Sequence, residues 1–123
     1  MNKIMFVDDD PNLIQLMIKY LECNNYEIAA ALNENTLEVV RQGVAAIQQE
    51  KPSLVVVDGL VKVENVAAVI QAAKAVRARV IIFTFSTKEE HRHLDADRVV
   101  DKNISLEDFK EIIDELLEEA GNE

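Results

Sequence analysis

Five short apolar runs punctuate the chain, at 3–7 (KIMFV), 27–31 (EIAAA), 54–57 (LVVV), 79–83 (RVIIF) and 98–100 (RVV). A strand with one wet face alternates apolar and polar residues. Continuous runs of this length instead predict strands covered on both faces, as in a parallel sheet. Between them the apolar residues recur every three or four positions, the spacing of a helix face. The first such stretch opens on Asp10-Pro11, a carboxylate at the N-cap and a proline where no backbone N–H is needed. It carries Leu13, Ile14, Met17, Ile18 and Leu21. The second, 35–49, carries Leu37, Val40, Val44 and Ile47, with Gly43 weakening its middle. The third, 63–76, sets Val66, Ile70 and Ala73 on one face.

The last helix has the fullest pattern. Ser105 and Asp108 form a capping box with Asp in place of Glu or Gln. Leu106, Phe109, Ile112, Ile113, Leu116, Leu117 and Ala120 then make an apolar stripe that ends at Gly121. Glu111, Asp114, Glu115, Glu118 and Glu119 read as its solvated face. The segment 88–94 has room for one or two turns. Strand–helix alternation without a repeat or linker predicts one α/β domain over 1–123, a parallel sheet with helices on both faces.

Composition narrows the setting. A chain of 123 residues can bury one real core. Its formal net charge of −10 repels phosphate backbones and argues against direct nucleic-acid binding. No apolar stretch is long enough to span a bilayer and no signal-peptide pattern opens the chain, so no membrane partner is expected. Cys23, the one cysteine, cannot form an internal disulfide and reads as a small helix-core side chain. These features predict a reducing, cytoplasmic location.

The polar residues that close the strands carry the chemistry. In open parallel sheets ligands bind at the carboxyl ends of the strands, where strand order reverses. Asp8 and Asp9 stand at the end of the first strand, Asp58 of the third and Thr84 of the fourth, and Lys102 follows the fifth. Crowded carboxylates need raised pKa values or a compensating cation. A hard divalent ion with oxygen ligands, Mg²⁺ above all, suits them. Lys102 and Thr84 could then bind the oxygens of an anion on or beside one carboxylate, which is equipment for phosphoryl transfer.

The motifs IMFVDDDP (4–11), KPSLVVVDG (51–59), VIIFT (80–84) and VVDK (99–102) resemble those of receiver domains of two-component response regulators, over essentially the whole chain. The resemblance implies a flavodoxin-like, doubly wound sheet of five parallel strands in the order 2-1-3-4-5. It implies that Asp58 accepts a phosphoryl group from a histidine kinase or histidine phosphotransfer protein. Asp9 would ligate Mg²⁺ directly, Asp8 through water, with Asp58 and the backbone carbonyl of Leu60 completing the protein ligands. Lys102 would contact the phosphoryl oxygens, and Thr84 would close on them. Such a domain catalyses its own phosphorylation and dephosphorylation without being a turnover enzyme. Its output would pass to a partner protein in trans or to an output domain outside this sequence.

Five positions depart from that family. Phe85 stands where a small residue leaves the acceptor open, so its ring either obstructs the site or points away. Asn103 replaces the proline of a cis peptide after the lysine, which predicts a trans bond because a non-proline cis bond costs about 2.5–4 kcal/mol. Val99 replaces a switch aromatic, GLVKVEN (59–65) lacks the usual Met-Pro, and the interval between Thr84 and Lys102 is short. The short interval alters the usual dimer face and leaves a homodimer open.

Other readings compete. A pseudo-receiver would use the fold as an interaction module without phosphorylation; Phe85, Val99 and Asn103 favour it, and the repelling carboxylates argue against it. A phosphatase resembling the haloacid dehalogenases would read Asp8-x-Asp10 as nucleophile and acid/base, but Asn12 breaks that motif. Ser86 and Thr87 are alternative hydroxyls to Thr84. His91 and His93, two apart, do not share a helix face and read as solvated side chains. Lys74, Arg77 and Arg79 either meet an acidic partner or finish the third helix.

Overall fold

The computed structural model describes residues 2–59, 63–85 and 94–121. Strands β1 (Lys3–Asp8), β2 (Glu27–Leu32), β3 (Leu54–Asp58), β4 (Arg79–Thr84) and β5 (Arg98–Asp101) form one parallel sheet in the order β2-β1-β3-β4-β5. Helices α1 (Pro11–Cys23), α2 (Thr36–Glu50), α3 (Val63–Ala75) and α4 (Leu106–Gly121) join and flank the strands. Because β1 has β2 on one side and β3 on the other, the chain leaves its two edges in opposite directions. That reversal opens a crevice at the carboxyl ends of β1 and β3.

The continuous apolar strands serve two cores at once. Met5, Val7, Val55, Val57, Val80 and Ile82 face α2 and α3, where they meet Val39, Ile47, Val66, Val69 and Ala73. The alternate residues Ile4, Phe6, Leu54, Val56, Ile81 and Phe83 face α1 and α4, where they meet Ile14, Leu21, Phe109 and Ile113. Period-two alternation thus assigns every apolar residue of β1, β3 and β4 to one core or the other, and no wet face remains. Among the described residues no helix is long and apolar enough to cross a membrane.

The five predicted strands and the four longer helices are present, with informative corrections, while residues 88–93 of the short segment 88–94 lie outside the described residues. Each strand runs one residue past its apolar run, because the ladder continues through Asp8↔Leu32, Asp58↔Phe83 and Thr84↔Asp101. Three of these added residues, Asp8, Asp58 and Thr84, are the polar ones that matter below. The buried face of α2 is Val39, Gly43 and Ile47, with Leu37 73% exposed and Val40 and Val44 at its flanks. Gly43 is the reason: a Cβ there would lie 2.8 Å from Cγ1 of Val7, so the helix approaches β1 through the missing side chain. A count of apolar residues cannot weigh a glycine that packs by being small.

Cys23 is exposed and does not join the core. It lies two positions beyond buried Leu21, on the far side of the last turn of α1. Asp10 occupies the N-cap position of α1 but makes no side-chain capping bond; its backbone N–H donates instead to Oδ1 of Asp8. Ser105 does cap, accepting from the N–H of Asp108 at 3.1 Å, and α4 spans Leu106–Gly121.

Candidate functional site

Strand register brings the candidate residues together. β1 and β3 are neighbours, so Asp8 and Asp58, the last residues of each, emerge side by side at the crevice. Asp9 follows where the chain turns toward α1. Thr84 ends β4 one residue beyond Phe83, the partner of Asp58, and is buried. Its carbonyl accepts the N–H of Lys102 at 2.9 Å, which fixes the lysine just past β5.

From there the Lys102 side chain turns inward and is only 3% exposed. Its Nζ lies 2.6 Å from Oδ1 of Asp58 and 3.0 Å from Oδ2 of Asp8. Two rings flank the ammonium, Phe83 at 5.9 Å and Phe85 at 5.6 Å from Nζ. Phe85 therefore leans over the lysine while remaining 56% exposed, and does not point away from the site. No peptide bond among the described residues is cis, so the link from Lys102 to Asn103 is trans as predicted, and the lysine still reaches the carboxylates. Val99 is half-buried against the core on the α2–α3 side.

Carboxylate oxygens of Asp8, Asp9 and Asp58 all lie within 4.8 Å of one another. Two of the three carboxylates thus share one ammonium, with Asp9 beside them. Burial pushes Asp58 up to about 7, helped by a hydrogen bond with Asp9 and the charge of Asp8, and Lys102 offsets only part of this. Burial also raises Asp8, against the opposing pull of Lys102 and the Asp10 N–H. Burial works against the charge of Lys102, but its hydrogen bond to Asp58 and the charge of Asp8 outweigh it and hold the ammonium above its ordinary value. One positive charge cannot balance three negative ones, so a proton is retained on Asp58 well above the normal carboxylate range.

The donor set fits a divalent cation. All three donors are hard oxygens, they converge from two adjacent strands, and their residual charge is what Mg²⁺ would neutralise. The carbonyl of Leu60 lies outside the described residues, as do Ser86, Thr87, His91 and His93.

One polar partner of this cluster escaped the sequence reading. Thr36, the first residue of α2, donates its hydroxyl to Oδ2 of Asp9 at 2.7 Å. The sequence signal was present: Asn35-Thr36 opens a helix that follows the strand paired with β1. Its partner lies twenty-seven positions away in the chain, so no local pattern identifies the contact.

The basic cluster Lys74, Arg77 and Arg79 lies at the other end of the sheet. Lys74 and Arg79 pair with Asp95 (3.7 Å) and Asp97 (3.3 Å). With Ala78 and Asp97 the three basic residues line an open cleft of about 350 Å³. Arg77 adopts a left-handed φ of 62°, and its N–H donates to the carbonyl of Lys74, so the cluster finishes α3.

The fold defined by this sheet order and this crevice is that of receiver domains. Solved structures align with nearly the whole chain. A CheY-like response regulator receiver domain protein from Methanospirillum hungatei superposes with a TM-score of 0.81 at 23% identity, over 99% of this chain and 98% of that one. The signal receiver domain of a putative Luxo repressor protein from Vibrio parahaemolyticus gives 0.78 at 22% identity, over 98% and 92%. A two-component response regulator from Clostridium difficile gives 0.80 at 16%, over 96% and 97%. No protein-family model and no curated protein sequence matches the chain.

Proposed function

We propose that this chain is a single phosphoacceptor domain over 1–123, which takes a phosphoryl group on Asp58 in a Mg²⁺-dependent reaction and thereby controls a partner protein. The observation that carries the reading is the Lys102 ammonium bridging Asp8 and Asp58 in a crevice where three carboxylates converge. A scaffold has no use for repelling buried carboxylates, which favours a working site over a pseudo-receiver.

Asp8, Asp9 and Asp58 would hold the Mg²⁺, with the Leu60 carbonyl as a further ligand. The ion supplies charge neutralisation to the carboxylates and the incoming phosphoryl oxygens. An Asp58 oxygen attacks the phosphorus of a phosphohistidine on a kinase or phosphotransfer protein. The new O–P bond forms as the P–N bond breaks, and the imidazole leaves with the bonding electrons and takes up a proton. Lys102 transfers its contact from the carboxylate to the phosphoryl oxygens, and the Thr84 hydroxyl closes on the same group. Water returns the aspartate by hydrolysis, so the domain is a switch in a cytoplasmic phosphorelay and not a turnover enzyme. Its signal passes to an effector in trans or to an output domain. The phosphatase reading is disfavoured because Asp10, its acid/base, is exposed and apart from the three converging carboxylates.

Intact-mass analysis after incubation with Mg²⁺ and a small phosphodonor tests this reading. One added phosphoryl group is expected, absent in Asp58→Asn and absent without metal. An adduct that persists in Asp58→Asn would place the acceptor elsewhere. No adduct with wild type or with Phe85→Ala would leave the pseudo-receiver standing.

A further inference from the structure

A continuous chain of hydrogen bonds ties the candidate metal site to the first turn of α2. The N–H of Asn33 donates to the Asp8 carbonyl at 3.4 Å, and the Asn33 side chain accepts from the N–H of Asn35 at 2.9 Å. Asn35 caps α2 by accepting from the N–H of Glu38 at 3.0 Å. Thr36 closes the circuit by donating to Asp9. The Thr36 hydroxyl donates to Oδ2 at 2.7 Å, and this bond orients the whole Asp9 side chain. The other neighbour of Asp9 is Asp58, with a carboxylate oxygen within 4.8 Å of its own. Asp9 is thus held between the acceptor aspartate and a helix terminus.

We propose that Thr36 is a positioning residue for the metal site, and that through it the first turn of α2, with exposed Leu37, responds to metal occupancy. The inference rests on the reading of Asp8, Asp9 and Asp58 as Mg²⁺ ligands. Its physical content is that a ligating carboxylate must present a lone pair toward the ion, and the Thr36 bond occupies one oxygen and sets the angle of the other. Partners that orient a ligand in this way typically change metal affinity by 10–100-fold when removed. Nothing else in the first turn of α2 needs the hydroxyl, because the helix is capped by Asn35.

The test is Mg²⁺ titration of wild type, Thr36→Val, Thr36→Ser and Asp58→Asn, followed by calorimetry and by the backbone amide resonances of Leu37 and Glu38. Thr36→Val should weaken Mg²⁺ binding about tenfold while the metal-free protein melts within a few degrees of wild type. Thr36→Ser, which keeps the hydroxyl, should bind as wild type does. The Leu37 and Glu38 resonances should move with Mg²⁺ in wild type and Thr36→Ser and stay still in Thr36→Val. Unchanged affinity in Thr36→Val would overturn the inference. So would a Thr36→Ser variant as weak as Thr36→Val, which would assign the effect to the methyl group. Should Thr36→Val fail to fold, Thr36→Ala takes its place under the same criteria. Wild type that ignores Mg²⁺, or binds it equally after Asp58→Asn, would remove the metal-site reading itself, and the inference with it.

Discussion

The two ends of the sheet handle charge in opposite ways. At the amino ends of the strands several cations meet carboxylates of their own: Lys3 lies 2.6 Å from Glu50 and 3.6 Å from Glu27, Arg79 lies 3.3 Å from Asp97, and Lys74 lies 3.7 Å from Asp95. At the carboxyl ends Asp8 and Asp58 share Lys102 in a nearly dry crevice, with Asp9 converging on them. Among the described residues one end is close to electrically finished, and the other carries an excess of negative charge. Stability alone would not select the second arrangement, since buried charge is costly unless it is fully compensated. The imbalance is what a site looks like when its counter-ion arrives from solution.

Breaking the imbalance further should have the largest effect. Lys102→Met removes the cation that bridges Asp8 and Asp58, and loss of a partner from a buried ion pair costs on the order of 3 kcal/mol or more. In metal-free protein at pH 8 that loss should appear in urea unfolding, and Mg²⁺ should recover much of it. A Lys102→Met protein as stable as wild type would mean that the carboxylates are already neutral or already hydrated.

Relieving the imbalance should act the other way. Asp58 has its folded pKa raised to about 7, so its neutral form favours the fold and its stabilisation is full below about pH 4. That contribution is lost as pH rises through about 7. Asp58→Asn mimics the neutral carboxyl, so the metal-free variant should melt above wild type at pH 8 and level with it near pH 4. A gain of 1 kcal/mol corresponds to about 4 °C in a domain of this size. A lower melting temperature at pH 8 would show that the Lys102 contact outweighs the repulsion.

The finished end should respond least. Arg79→Met breaks a half-buried pair, for which about 1 kcal/mol is expected. Lys3→Met touches pairs that water already screens, and should leave the unfolding midpoint close to that of wild type. Neither variant should alter the response to Mg²⁺. A change in that response from either would mean that the two ends are not independent.

The sequence revealed the fold because the strands have no wet face. Leu54-Val55-Val56-Val57 and Val80-Ile81-Ile82-Phe83 can be covered only by helices on both sides, and strand–helix alternation supplies them. It revealed the site because the sheet carries chemistry at its carboxyl ends, so the first polar residue after each run was the one to examine. It did not reveal the seating of α2, where Gly43 packs through an absent side chain against Val7. Nor did it reveal Thr36, whose partner Asp9 is close only after β1 and β2 pair. The Asp-Asp-Asp run also looked more uniform than it is. Asp8 is buried, Asp9 faces Thr36 and Asp58, and Asp10 serves through its backbone N–H.

The most direct test of an unfinished carboxyl end is the melting temperature of wild-type protein with and without Mg²⁺, at pH 8 and at pH 5. At pH 8 Asp58 is ionised and the site is short of positive charge, so Mg²⁺ should raise the melting temperature by several degrees. At pH 5 a proton on Asp58 competes with the ion, and the rise should shrink toward zero. An equal rise at both pH values, or none at pH 8, would contradict the account, because the carboxylates would then be balanced without a metal.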